Sequence, residues 1–138
     1  MTDPSDLLYL IEHQVWARLD DDGLATMGIT ALGVRLSGEI YMCRPKGVGM
    51  VIEQGRSMGV VELAKSIVSV KAPLSGEVVE VNTLLRDQPE RVHQDPYGAG
   101  WLLRIRPSAL DTERALLVTG PSVPEAMAAH ARLFRIED

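Results

Sequence analysis

Cysteine is nearly absent from this chain. Cys43 alone among 138 residues excludes an internal disulfide and a cysteine-based metal cluster, and reads as a small apolar residue in a strand. Aromatic residues make up only 4% of the sequence, and there is no Lys/Arg run in a chain of formal net charge −5 and pI about 5.2. A surface that neutralises nucleic-acid phosphates needs the opposite balance, so nucleic acid is not an expected partner. The start, Met1-Thr2-Asp3-Pro4-Ser5-Asp6, is acidic and lacks the basic region and apolar run of a secretory signal. No membrane span is visible either, so a cytoplasmic protein is expected. His13, His93 and His130 are far apart and lack metal-ligand spacing, and no metal is assigned. With no nucleophile–base set and no phosphate loop, the chain is not expected to be an enzyme in its own right.

What is present is apolar content, 46%, enough for a real core in a single domain. That domain is expected to span 1–138, with a core over about 8–117 and a helical tail over 118–138. Short β-type runs separated by Gly/Pro turns predict a sandwich or barrel. Leu7 to Ile11 and Trp16 to Leu19 read as extended chain up to the turn Asp20-Asp21-Asp22-Gly23, after which Leu24 to Ile29 returns as a strand. Thr30 is placed to cap a short helix through Val34 to Leu36, stopped by Ser37-Gly38. Glu39 to Cys43 reads as a strand, Arg44 to Gly49 as a turn, and Thr83 to Val92 as polar chain with a single helical turn. In Asp95-Pro96-Tyr97-Gly98-Ala99-Gly100-Trp101, Pro96 fixes φ and the two glycines permit φ above zero, so the chain is expected to fold tightly under Tyr97. Asp111 to Leu117 and Pro124 to Phe134 read as helices, the second with Ser122 as cap and Met127, Ala131 and Phe134 on one packing face.

The stretch that organises the rest is Gly59 to Asn82. It holds two β-type runs, Gly59 to Val70 and Glu77 to Val81, joined by Ala72-Pro73-Leu74-Ser75-Gly76. Lys65 stands in the first run between small and apolar neighbours, so its ammonium group must point outward. A strand lysine is usually a solvated side chain or an edge guard. An amine on a stiff element is also a good attachment point, because the sheet fixes where a flexible tether begins.

The neighbouring residues favour attachment. Glu62-Leu63-Ala64-Lys65-Ser66 leads to Ala72-Pro73-Leu74-Ser75-Gly76-Glu77-Val78-Val79-Glu80-Val81-Asn82, with Pro73 eight residues past Lys65. This resembles the lipoyl-lysine segment of the glycine cleavage system H protein family. Asp95 to Trp101 matches that family's Asp-Pro-Tyr-Gly-x-Gly-Trp, and His13-Gln14-Val15-Trp16 partly matches its His-Glu-Trp. The resemblance runs over about 8–117. It implies a mainly β fold, a flattened barrel or sandwich hybrid of two sheets, lipoyl-domain-like, with short helices and a helical tail. It also implies lipoate joined by an amide to Lys65 on an exposed hairpin, with Glu62 and Gly76 read by the attaching enzyme, a lipoate ligase or an octanoyl or lipoyl transferase. A carboxylate near the amine can orient it, and a glycine lets an enzyme approach the backbone. Lys71, out of register with the family, reads as a solvated charge.

Departures from the family bear on the cargo. Its members shelter a cationic aminomethyl group with the Glu of His-Glu-Trp and an Asp four residues past the lysine. Here the first position is Gln14 or Val15 and the second is Ser69, so His13, Gln14 and Ser69 are the candidates for the arm's cleft. Each lost charge-assisted bond is worth roughly 1.5–3 kcal/mol. Glu12 can move in to replace the charge, which leaves the point open. Leu63 and Lys71 also alter the cleft's rim. The lipoate-binding proteins of sulfur oxidation, which work with a heterodisulfide-reductase-like complex, share the scaffold and often carry runs like Arg44-Pro45-Lys46 and Glu53-Gln54-Gly55-Arg56-Ser57. The favoured reading is a monomeric lipoyl carrier with sulfur cargo. The alternatives are an aminomethyl carrier serving glycine cleavage enzymes and an unmodified adaptor. A biotin carrier fits less well, since Lys65 lacks flanking methionines.

Overall fold

Residues 3–134 are described by the computed structural model, in which β-strands too short to bury much surface alone are gathered into two antiparallel sheets. The strands are β1 (Leu8–Leu10), β2 (Val15–Leu19), β3 (Ala25–Ile29), β4 (Met42–Pro45), β5 (Val51–Ile52), β6 (Ser57–Glu62), β7 (Ile67–Lys71), β8 (Gly76–Val81) and β9 (Leu103–Pro107). Six of them form one sheet in the order β1-β2-β3-β9-β8-β5, and β4-β6-β7 form the other. The fold is mainly β with two sheets, as expected, but the sheets stay open and do not close into a barrel.

Burial follows position in the sheet. All five residues of β3 are buried because the strand is flanked by β2 and β9, while β8 opens with the buried, exposed, buried alternation of a sheet with one wet face. The main core lies between the sheets and contains Met27, Ile52, Met58, Leu74, Val78, Leu103 and Ile105, all fully buried. Cys43 packs there too, and burial pushes its thiol up to about 12, so it behaves as the apolar residue expected.

A second cluster of Leu7, Tyr9, Trp16, Leu32, Val123 and Met127 holds the tail against the six-stranded sheet. Its tail component is the helix over Val123–Leu133. The Asp95 block closes the cluster. Trp16 Nε1 donates to the carbonyls of both Ile29 and Pro96 at 3.1 Å, and Tyr97 packs edge-on to Tyr9 with ring centroids 6.4 Å apart. The glycines of this block serve a different purpose from the expected one. Neither Gly98 nor Gly100 has positive φ; a Cβ on Gly98 would sit 2.3 Å from Asp95 Oδ2, and one on Gly100 would sit 2.5 Å from the Arg91 carbonyl oxygen. Crowding, not backbone handedness, requires glycine at both.

The helices are α1 (Ala31–Ser37), α2 (Leu84–Asp87), α3 (Arg91–Gln94), α4 (Leu110–Glu113) and α5 (Val123–Leu133). Thr30 caps α1 as expected, accepting from the Gly33 amide at 3.0 Å, and Gly38 ends it. Ser122 makes no side-chain cap on α5. Other boundaries moved. A 3-10 turn at Ile11–His13 and left-handed Gln14 (φ 53°) fold β1 back on β2. Arg44 and Pro45 belong to β4 because they pair with Val60 and Gly59. Two short helices replace the single turn after Asn82. The expected helix at Asp111 to Leu117 divides into α4 and a 3-10 turn. The ends of the sequence-expected domain, 1–2 and 135–138, lie outside the described residues.

Candidate functional site

Gly59 to Val70 is a hairpin, not one strand. β6 and β7 pair from Gly59–Val70 through Val60–Ser69 and Val61–Val68 to Glu62–Ile67, and the Leu63 amide donates to the Ser66 carbonyl at 2.8 Å to close the turn. Lys65 therefore sits in the tight turn, exposed, with exposed Ala64 and Ser66 beside it. β4 pairs along the other edge of β6, so the base of the hairpin is held by a third strand while the tip stands free. The expectation of an outward amine holds, but a turn supplies it.

Glu62, the last residue of β6, is half-buried and its carboxylate lies 3.7 Å from Arg44 Nε. Leu63 turns inward and packs against the main core. Gly76 is elsewhere: it opens β8 in the other sheet, is buried, and a Cβ there would meet the Arg106 carbonyl oxygen at 2.2 Å. The close approach that demands glycine comes from this chain's own β9. Its pairing partners are Ile52 and Pro107.

Behind the hairpin is a cleft of about 300 Å³ lined by His13, Gln14 and Ser69 together. That is the lower end of the roughly 300–1,000 Å³ typical of small-molecule sites. Its walls are largely apolar, with Val15, Ile29, Ile40, Val61 and Val68 among them. Gln14 is buried and its amide is committed: Nε2 donates to the Ile11 carbonyl at 2.9 Å, and Oε1 accepts from Thr30 Oγ1 at 2.6 Å. Ser69 Oγ is buried without a hydrogen-bond partner. Glu12 lines the cleft from an exposed position, and Lys71, expected to be a solvated charge, is half-buried and lines it too. His130 of α5 and Phe134, which follows the helix, complete it. The Met127, Ala131, Phe134 stripe reads as packing alone, so the sequence does not show either residue at the cleft; a large aromatic two turns beyond Met127 is the available signal. Of the other histidines, His93 Nε2 accepts from the Ile40 amide at 3.0 Å.

A family model described as glycine cleavage H-protein matches residues 7–130. The chain belongs to the glycine cleavage H-protein family. It is 39% identical over 117 residues to glycine cleavage system H protein 2 of Aquifex aeolicus (strain VF5), covering 85% of this chain and 73% of that one. It is 41% identical over 114 residues to the glycine cleavage system H protein of Psychrobacter cryohalolentis, covering 83% and 90% respectively. The crystal structure of a glycine cleavage system H protein from Mycobacterium marinum matches with a TM-score of 0.75 at 31% identity, over 97% of this chain and 100% of that one. The two-sheet, lipoyl-domain-like fold is thus that of an H protein.

Membership supports an H-protein-like lipoyl carrier, and the residues present fit lipoate. An apolar cleft suits a hydrocarbon arm, the unpartnered Ser69 hydroxyl offers one polar contact, and an exposed amine stands at the tip of the hairpin that walls the cleft. Among the described residues, no helix is long and apolar enough to cross a membrane.

Proposed function

We propose that this H-protein-family chain is a single-domain, cytoplasmic, monomeric carrier with lipoate joined through an amide to Lys65 Nζ. The observation that carries the reading is an exposed lysine in the tight turn of a hairpin whose strands also wall an apolar cleft. When bound, the dithiolane supplies thiol–disulfide exchange. The chain supplies reach, docking surface and shelter. A lipoate ligase or an octanoyl or lipoyl transferase would attach the arm, with the half-buried Glu62 carboxylate near enough in sequence to orient the amine. Recognition at Gly76 would act through the sheet's shape, since that backbone is covered by β9.

The cleft's charges favour a neutral or anionic cargo. A cationic aminomethyl group needs a fixed carboxylate, yet Gln14 is neutral and tied, Ser69 is neutral, and Lys71 brings a cation to the same walls. This favours sulfur carried between partners of a heterodisulfide-reductase-like complex. The comparisons do not support that pathway; the relatives above are named glycine cleavage system H proteins. The second reading is therefore the aminomethyl carrier of glycine cleavage, favoured by those names and by the Glu12 carboxylate at the cleft.

Intact-mass measurement on protein from lipoate-making cells tests attachment: the wild type is expected to gain one lipoyl group and Lys65→Arg none. A wild-type chain that stays unmodified makes it an adaptor instead. Lipoylated protein offered to a bacterial glycine decarboxylase tests cargo. Loss of one sheltered charge-assisted bond, roughly 1.5–3 kcal/mol, predicts turnover at least about ten-fold below an ordinary H protein. Equal turnover would establish the aminomethyl reading over sulfur.

A further inference from the structure

We propose that the last turn of α5 and the Phe134 that follows it form a shielding wall of the arm's cleft, in which His130 and Phe134 are positioning residues that hold the sulfur end of the tethered arm out of solvent. This rests on Lys65 being the lipoyl attachment point.

The packing of α5 divides it into two parts. Val123 and Met127 are buried against Tyr9, Trp16 and Leu32, and Ala131 is partly covered by the same cluster, which anchors the helix. Beyond that anchor, His130 and Phe134 reach the cleft that β7 walls with Val68 and Ser69. The two rings touch, with centroids 5.1 Å apart at 42°. Phe134 remains 56% exposed and Val68 43% exposed, so both sides of the cleft keep apolar surface in water.

The continuity of cleft and hairpin identifies the occupant. Lys65 lies four residues before Ser69 along the hairpin, about 13 Å of extended chain at roughly 3.3 Å per residue, so a long arm on that amine needs only to fold back along its own strand to meet these walls. The surface it would meet is apolar and aromatic. Burial lowers the His130 pKa, which favours the neutral imidazole and its soft, hydrogen-bonding face. The charged groups of the cleft, Glu12 and Lys71, and the third titratable group, His13, belong to other elements. An aromatic pair against the arm's sulfur atoms, in ring or dithiol form, is a favourable contact, because sulfur is polarizable and packs well against aromatic edges.

The test uses the full-length lipoylated protein with its arm reduced by a phosphine, followed by alkylation with N-ethylmaleimide read as mass on the Lys65 peptide. Cys43 is buried with its thiol pushed up to about 12, so it does not compete. Phe134→Ala is expected to raise the alkylation rate at least about three-fold, His130→Ala likewise, and Phe134→Leu less than Phe134→Ala. Phe134 is exposed enough that its removal should leave the fold intact, to be checked by circular dichroism. Leu133→Ala, at a 77% exposed position on the same helix that does not line the cleft, is expected to match wild type. Equal rates in wild type, Phe134→Ala and His130→Ala, on chains whose mass shows full lipoylation, would overturn the shielding role alone. A chain that never gains the lipoyl mass would overturn the attachment reading and this one with it.

Discussion

The lysine expected to carry the arm and the glycine expected to be read with it do different physical work. Lys65 is presented by a turn closed by the Leu63–Ser66 hydrogen bond, and its side chain is exposed. Gly76 is locked into the sheet with a carbonyl where its side chain would be. A Gly76→Ala substitution forces β8 and β9 apart and should cost roughly 1–3 kcal/mol, the usual range for overpacking a tight site. Urea denaturation measures this. If the glycine acts through structure, the folded fraction should still be lipoylated at the wild-type rate; a lower rate on folded protein would assign it a direct recognition role.

At the level of elements, one threonine links α1 to the cleft. Thr30 Oγ1 accepts from the Gly33 amide and donates to the Gln14 Oε1, while the Thr30 amide donates to the Gln14 carbonyl at 3.0 Å. Thr30→Ala should therefore remove a helix cap and leave a buried amide oxygen without its donor. The two losses together should cost about 2–3 kcal/mol, against less than 1 for Thr30→Ser, measured by denaturant midpoint. This network explains why Gln14 is a poor substitute for a cargo-binding carboxylate. Its polar atoms are already used to fix the corner between β1 and β2 and the start of α1. The cap at Thr30 was legible because capping is local chemistry, four residues deep. The 3-10 turn at Ile11–His13 was not, since no glycine or proline marks it and the left-handed position falls on Gln14.

Across the whole molecule, Arg104 on β9 joins three places in the chain. Its guanidinium reaches Asp22 at 2.7 Å, Asp20 at 3.2 Å and Glu80 at 3.2 Å, fastening the β2–β3 turn and β8 to the middle of the large sheet. Partial burial pushes the Asp20 carboxyl up, but hydrogen bonds from Thr26, Arg18 and Arg104 outweigh this and hold it below the usual carboxylate range. A lowered folded pKa means the Asp20 contribution is complete above the unfolded value, about 3.9, and is lost as pH falls through the folded one. Arg104→Ala is expected to cost about 1 kcal/mol at pH 7. Thermal unfolding of wild type and variant should converge as the pH is taken down through that range.

The sequence by itself determined the class of fold, the placing of Lys65 outside the core, and the tight block from Asp95 to Trp101, because each depends on contacts or turn chemistry within a short span of chain. Alternating apolar residues must bury one face, and a lone lysine must stay out of the core whether a strand or a turn carries it. Tertiary structure alone decided that the sheets stay open, that a turn holds the Lys65 amine, and that α5 brings His130 and the following Phe134 to residues near the other end of the chain. Those outcomes depend on which surfaces meet after the strands have paired. Helical periodicity shows that α5 has an apolar face, but only the packed cluster around Tyr9 and Trp16 determines where that face stops and the cleft begins.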